Sequence, residues 1–336
     1  MYQVSVLVPV YGVSRFIERC ARSLFEQTYG NLEYIFVDDC SPDNSMAILK
    51  RVMEDYPERK GQVRIIRHER NRGLAAARNT ALDAASGPFL THVDSDDYLD
   101  RDAVRLLVEK QVETGADIVS GNYCVITDKG IRNAILPEYK DNYEFLLKTF
   151  DLRKGIRTIW GHLFKLSLYN DYHIRVKEGV NVGEDWQQIP LLAYYAKTTS
   201  KIDSFVYYYD CTNPQSYIHN YQKAVYWKQP MESLFIMESF FSDKEPVYRD
   251  ASRRLSICKL KELLHIAAKN GNKRVFNDVK ILILSNYSDC LDVIGWDNPL
   301  NRVFRCNYYL HSSYRRLYEF GKKCFSGKPT CCQAGL

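Results

Sequence analysis

The chain has 336 residues, enough for an α/β domain of about 200 residues plus a smaller appendage with a sizeable buried core. Hydrophobic residues at 46% and charged residues at 26% exclude a disordered or collagen-like chain. A net charge of +5 favours anionic substrates or surfaces and is too weak to argue for nucleic acid as a partner. Tyr2 to Val10 alternates from the start without the charged and apolar regions of a secretory signal, and no apolar stretch reaches the roughly 18 to 20 residues of a membrane span. The ten cysteines form no CxxC pair and read as scattered reduced thiols, so the expected location is cytoplasmic.

Val4 to Val10 is a β-branched run that stops at Tyr11-Gly12, as a buried strand ending in a loop does. Ser14 can cap a helix running to about Gln27, with Phe16, Ile17, Cys20, Leu24 and Phe25 at helical spacing. Leu32 to Val37 reads as a second strand entering Asp38-Asp39, followed by a helix from Met46 to Tyr56 and a third strand from Val63 to Arg67. Asn71-Arg72-Gly73 turns into an alanine-rich helix, Leu74 to Ala85, and Phe89 to Val93 is a fourth strand entering Asp94-Ser95-Asp96-Asp97. Such alternation predicts an α/β, Rossmann-like, mainly parallel sheet flanked by helices. In these sheets ligands sit beyond the carboxyl ends of the strands, so the three polar clusters should converge on one edge.

Further on, a helix over Arg101 to Glu109, a strand over Ala116 to Tyr123, a helix over Asp141 to Phe150 and a strand ending at Tyr207-Tyr208-Tyr209 are expected. From about residue 220 the pattern turns helical, which divides the chain into 1–220 and a helical C-terminal region, 221–336.

Asp94 and Asp96 lie two residues apart, lean the same way and can hold one hard cation, Mg2+ or Mn2+, whose open positions a diphosphate fills. Taken alone, the same residues read more readily as an Asp-rich turn leading a helix, and Asp38-Asp39 reads also as an Asx turn before Ser41-Pro42. Their arrival from neighbouring strands favours the cation, because clustered acidic groups repel unless something offsets their charge.

VSVLVPVYG, VDDCSPDNS, NRGLAAARN and HVDSDDYLD, in this order over residues 4 to 100, resemble the family 2 glycosyltransferases of GT-A fold, in particular bacterial enzymes that build capsular, lipopolysaccharide or wall polymers. The resemblance implies an inverting enzyme that moves a sugar from a nucleotide-sugar donor, with a uridine base as first expectation, to a hydroxyl of a glycan or lipid-linked acceptor. It implies that Pro9, Val10 and Tyr11 pack around the base and that Asp39 reads it. Asn71 and Arg78 then contact the donor, Asp94 and Ser95 lie near its ribose and sugar, and Asp96 is the principal metal ligand. Cys40 departs from the family's glycine after the paired aspartates. Gly183-Glu184-Asp185-Trp186 resembles the family's acidic pair, which makes Asp185 the general base, with Glu184 and Trp186 near the acceptor. Trp160 either stacks on the acceptor sugar or packs in the core. Ser216 sits where relatives contact the diphosphate, although their neighbouring arginine is missing; His219 is a further candidate there.

Arg302, Arg305, Arg315, Arg316, Lys322 and Lys323 interleave with aromatic residues, a pattern for peripheral contact with the anionic inner face of a cell membrane or for a helix packed on the domain. A homo-oligomer is left open. A dinucleotide-binding oxidoreductase lacks its GxGxxG here and a P-loop enzyme its GxxxxGK[ST]. The remaining alternatives are a nucleotidyltransferase and a catalytically silent GT-A-like binding module.

Overall fold

A computed structural model of the protein describes residues 2–152, 155–216 and 228–294. The chain divides into two compact units, Met1–Thr149 with Gly155–Tyr217, and Phe150–Lys154 with Ile218–Leu336. His219 and the basic aromatic residues 302–323 lie outside the described residues.

The first unit is built on β1 (Val4–Val10), whose seven residues are all buried. It sits between β2 (Leu32–Asp38) and β4 (Phe89–His92), parallel to both, with Val4 opposite Leu32 and Phe89. β3 (Val63–Arg67) extends the parallel half beyond β2. A strand flanked on both sides and covered on both faces is predominantly apolar, and the one polar side chain of β1, Ser5, is paired by donating to Glu33.

Three helices make the crossovers: α1 (Ile17–Phe25), α2 (Ser45–Glu54) and α3 (Leu74–Ala84). α1 buries Ile17, Cys20, Ala21, Leu24 and Phe25 in the core that also holds Val6, Val8 and Phe36. Each large apolar side chain so enclosed contributes about 1.5–3 kcal/mol. α1 starts three residues later than the expected cap at Ser14 and has no side-chain cap. The amide of Ser14 instead donates to Asp43 Oδ2 at 2.9 Å and ties this turn to the loop after β2.

Past Asp97 the sheet becomes mixed. β5 (Tyr98–Leu99) leads to α4 (Ala103–Thr114), followed by β6 (Ile118–Thr127) and β7 (Gly130–Ala134), which pair as a hairpin. After α5 (Asn142–Thr149) come β8 (His162–Lys165), α6 (Leu166–Asp171), α7 (Ile189–Tyr195) and β9 (Thr199–Asp210). β8 joins the halves, antiparallel to both β4 and β6. β9 runs parallel to β6, shifts register near Asn122, and pairs antiparallel with β5. The order β3-β2-β1-β4-β8-β6-β9-β5, with β7 off β6, gives nine strands among the described residues. β9 thereby returns its carboxyl end to the neighbourhood of Asp97, 113 residues away in sequence.

The second unit, by itself, is helical among the described residues: α8 (Lys228–Phe241), α9 (Pro246–Lys269) and α10 (Lys273–Asn286), then a 3-10 turn at Ser288–Ile294. Its core joins Ile257, Leu260 and Leu264 of α9 to Phe276, Val279 and Ile283 of α10. Asn272 caps α10 by accepting from the Val275 amide at 3.1 Å. No helix among the described residues is long and apolar enough to cross a membrane.

Candidate active site

The carboxyl ends of β1, β2 and β4 come together as expected from alternating strands and helices. The Asp39 amide donates to Val10 O at 3.0 Å, and that of Val93 to Leu7 O at 3.0 Å. Pro9 and Val10 are buried in β1, and Tyr11 stands exposed at its lip. Asp39 is buried, and its carboxylate organises the 71–73 turn. Oδ1 accepts from the Arg72 amide at 2.8 Å and faces His68 Nδ1 at 2.7 Å, while Oδ2 accepts from the Gly73 amide at 2.7 Å. A carboxylate has about four acceptor sites. Three of the Asp39 sites are filled, which leaves room for one donor from a ligand. Asn71, exposed at the same turn, also accepts from the Gly73 amide, at 3.0 Å.

Asp38 turns the other way and accepts from the Ser41 amide at 2.8 Å, so the Asx reading holds for this residue of the pair. Between them and Ser41, Cys40 has φ +59, a left-handed conformation in which a Cβ is unfavourable. The family's glycine at this position has a direct conformational reason.

The Asp94–Asp97 turn closes with the Asp97 amide on Asp94 O at 3.0 Å. Ser95 is buried inside it. Asp97 is structural: Oδ2 accepts from Tyr207 Oη and Oδ1 from the Asp210 amide, both at 2.7 Å. Tyr207 Oη in turn accepts from the Asp94 amide at 3.0 Å. Asp96 Oδ2 accepts from Asn213 Nδ2 at 2.8 Å, and the Ser216 amide donates to Asn213 O at 3.2 Å. Burial, and then the charge of Asp94, push the Asp96 carboxyl up to about 6. Arg19 braces the turn from outside through Asp96 O at 2.9 Å and Asp210 Oδ2 at 2.6 Å.

Arg78 joins this turn to the distant acidic pair. It is 3% exposed, and its Nη2 donates to Asp94 Oδ1 at 2.8 Å and reaches Glu184 Oε1 at 3.4 Å. Burial works against its charge, but Asp94, Glu184 and Asp185 outweigh it and hold the guanidinium above its ordinary pKa. Asp185 is raised well above an ordinary aspartate, first by burial and then by the charge of Glu184, with Arg78 pulling the other way. Glu184 is raised by burial against the pull of Arg78. Glu184, Asp185 and half-buried Trp186 lie on a 3-10 turn, Glu184–Gln187, entered through Gly183 at φ +77 and leading to α7. Arg78 Nε and Nη1 and Asp185 Oδ1 are buried without a protein hydrogen-bond partner. Such groups are costly unless a ligand or water meets them.

Trp160 is 6% exposed and belongs to the packing beneath this edge. It stacks on Tyr207 with centroids 4.4 Å apart at 10°, on Tyr209 at 5.3 Å, and edge-on to Tyr123 at 4.9 Å. Of the two readings of Trp160, the geometry favours the core, because its ring is already covered. Sequence reading missed Tyr207, which holds the Asp94 amide and Asp97, and His68, which faces Asp39. Tyr207 was visible only as one of three tyrosines, and nothing in a linear pattern marks which of them faces Asp94.

The acidic turn fits a hard divalent cation. Two carboxylates two residues apart, one of them carrying unfavourable charge that a cation would relieve, supply oxygen donors alone. Among the described residues, no group of three or more His, Cys, Asp or Glu side chains forms a fuller cage.

Fold and site together define a GT-A-type α/β domain with its ligand edge at the ends of β1, β2 and β4. The family model described as Glycosyl transferase family 2 matches residues 5–172, and the chain belongs to that family. The acidic pair Glu184-Asp185 lies beyond the matched segment. The chain is 34% identical over 194 residues to glycosyltransferase GlyA of Streptococcus pneumoniae, covering 54% of this chain and 27% of that protein. It is 32% identical over 222 residues to the uncharacterized glycosyltransferase EpsJ of Bacillus subtilis, covering 63% and 62%. It thus spans less than two thirds of the length of either relative. The crystal structure of S. aureus TarS 1–349 in complex with UDP matches with a TM-score of 0.63 at 18% identity, covering 99% of this chain and 95% of that one. At that identity the likeness speaks for the fold.

Proposed function

We propose that the protein is an inverting glycosyltransferase that moves a sugar from a nucleotide sugar to a hydroxyl of a glycan or lipid-linked acceptor, with Asp185 as general base. The observation that carries this reading is the convergence of Asp94, Glu184 and Asp185 on buried Arg78, whose Nε and Nη1 have no hydrogen-bond partner within the protein. Family membership and the UDP bound by TarS support a uridine donor.

In this reading Pro9, Val10, Tyr11 and Asp39 hold the base, Asn71 and Arg78 the donor, and Ser95 and Ser216 its ribose and diphosphate ends. Asp94 and Asp96 would hold Mg2+ or Mn2+. When bound, that cation supplies charge stabilisation for the departing diphosphate. The acceptor oxygen attacks the anomeric carbon from the face opposite the diphosphate. The bond to the diphosphate oxygen breaks with its electron pair, and the acceptor proton passes to Asp185. A carboxylate pushed up by burial is a stronger proton acceptor than one in water, and the Arg78 charge works against that rise by favouring the ionised form. Work at the cytoplasmic face of a membrane, and an acceptor site near Glu184 and Trp186, belong to the same proposal.

The test is nucleoside diphosphate release from UDP-, GDP- and dTDP-sugars with Mn2+ present, for wild type and Asp185→Asn. A loss of about 100-fold or more in kcat with UDP affinity kept is expected. Undiminished turnover in Asp185→Asn overturns the base.

A further inference from the structure

α3 begins without a cap of its own. Its N-cap residue is Gly73, at φ +89, which has no side chain to accept from the first-turn amides. Those amides are among the four donors that any helix leaves unpaired at its start. The one at Ala75 is met from 106 residues away, by Asn181 Oδ1 at 3.0 Å. The approach is close: a Cβ at Gly73 would fall 2.4 Å from Asn181 Nδ2 and 2.6 Å from its Oδ1. The backbone angle favours glycine at position 73, and a Cβ there would displace the Asn181 side-chain amide.

The segment carrying Asn181 is tied to α3 and its entry turn at two further points. Asn79 pairs with the backbone of Val176 in both directions, donating at 2.8 Å and accepting at 3.1 Å. Arg72 meets Glu178 at 2.7 Å on the surface. The Lys177 amide donates to Gln187 Oε1 at 2.8 Å, so the segment is also tied to the turn that carries Glu184 and Asp185. Gly183 then redirects the chain, and Glu184 reaches Arg78 one helical turn beyond Ala75.

We propose that Asn181 is a positioning residue: by capping α3 from outside it fixes the 182–185 segment, so that the acidic pair is held against Arg78. The inference rests on Asp185 as base for its kinetic consequence, and on geometry alone for its structural one.

Hydrogen exchange on the full chain tests the structural part without turnover. Asn181→Ala should speed exchange by about five- to tenfold both at the first turn of α3 and across 182–187. Faster exchange confined to α3 makes Asn181 a cap only and overturns the proposal. Kinetically, with the UDP-sugar turned over fastest in the donor screen, Asn181→Ala should lower kcat by about 10- to 100-fold with UDP affinity within about threefold. Asn181→Asp keeps an acceptor for the Ala75 amide and should recover most of that rate. Full kcat in Asn181→Ala beside an inactive Asp185→Asn overturns the positioning role alone. Wild-type turnover in Asp185→Asn removes the base, and hydrogen exchange still decides Asn181.

Discussion

Arg78, buried in α3, donates from Nη2 to Asp94 Oδ1 at 2.8 Å. This ion pair is the link between the acidic turn after β4 and the acidic pair near α7, because the same nitrogen also reaches Glu184. Removing one member of a buried charge network leaves the others uncompensated, at a cost of about 3–5 kcal/mol. Arg78→Met should therefore lower stability by that amount in urea unfolding and abolish sugar transfer. Arg78→Lys keeps the charge without the planar fork and should fall between. Wild-type stability in Arg78→Met would contradict the network.

Asp96 gives a pH dependence of definite sign. Its folded pKa of about 6 lies above the ordinary 3.8, so the folded state binds the proton more tightly than the unfolded chain. Its contribution to the stability of the metal-free protein is therefore greatest below about pH 4, is lost as pH rises to about 6, and stays lost above that. Asp96→Asn removes this decline. In chelator at pH 8 it should gain up to about 3 kcal/mol over wild type, and almost nothing at pH 4. Thermal melts at the two pH values check this, and an equal effect at both would show that charge is not the cause.

Cys40 occupies left-handed backbone at φ +59. Cys40→Gly should raise stability by roughly 0.5–1 kcal/mol, the relief of the Cβ conflict less the entropy that glycine loses on folding. Cys40→Val should destabilise by more than that, since a β-branched residue tolerates this region least. Denaturant midpoints of the two variants should fall on opposite sides of wild type.

Trp160 lies stacked under Tyr207 and Tyr209. Trp160→Ala should cost about 3–5 kcal/mol of stability. Trp160→Phe retains much of the packing and should leave the acceptor KM within about twofold. A large rise in acceptor KM for Trp160→Phe at unchanged stability would return the residue to the acceptor site.

Three strands of the parallel half were legible in the sequence because each is buried on both faces and marked by a turn. Val4 to Val10, Leu32 to Val37 and Phe89 to Val93 are apolar runs that stop at polar clusters. In the mixed half the strands expected over Ala116 to Tyr123 and ending at Tyr209 correspond to β6 and β9, whereas β5, β7 and β8 were not legible. β7 is nearly all exposed, β8 has four residues and β5 two, too short for any period to register.

For the site, the residue types and their order along the chain were fixed locally. Paired carboxylates after a buried strand, and a glycine before an alanine-rich helix, declare themselves through backbone and solvation constraints that span only a few residues. Which partner each side chain meets was decided by the tertiary structure. Asp39 is occupied by the 72–73 amides, Asp97 by Tyr207 and Asp210, and Ala75 by Asn181. These pairings join segments up to 113 residues apart, and their distance is set by sheet order and helix packing, which no local pattern encodes.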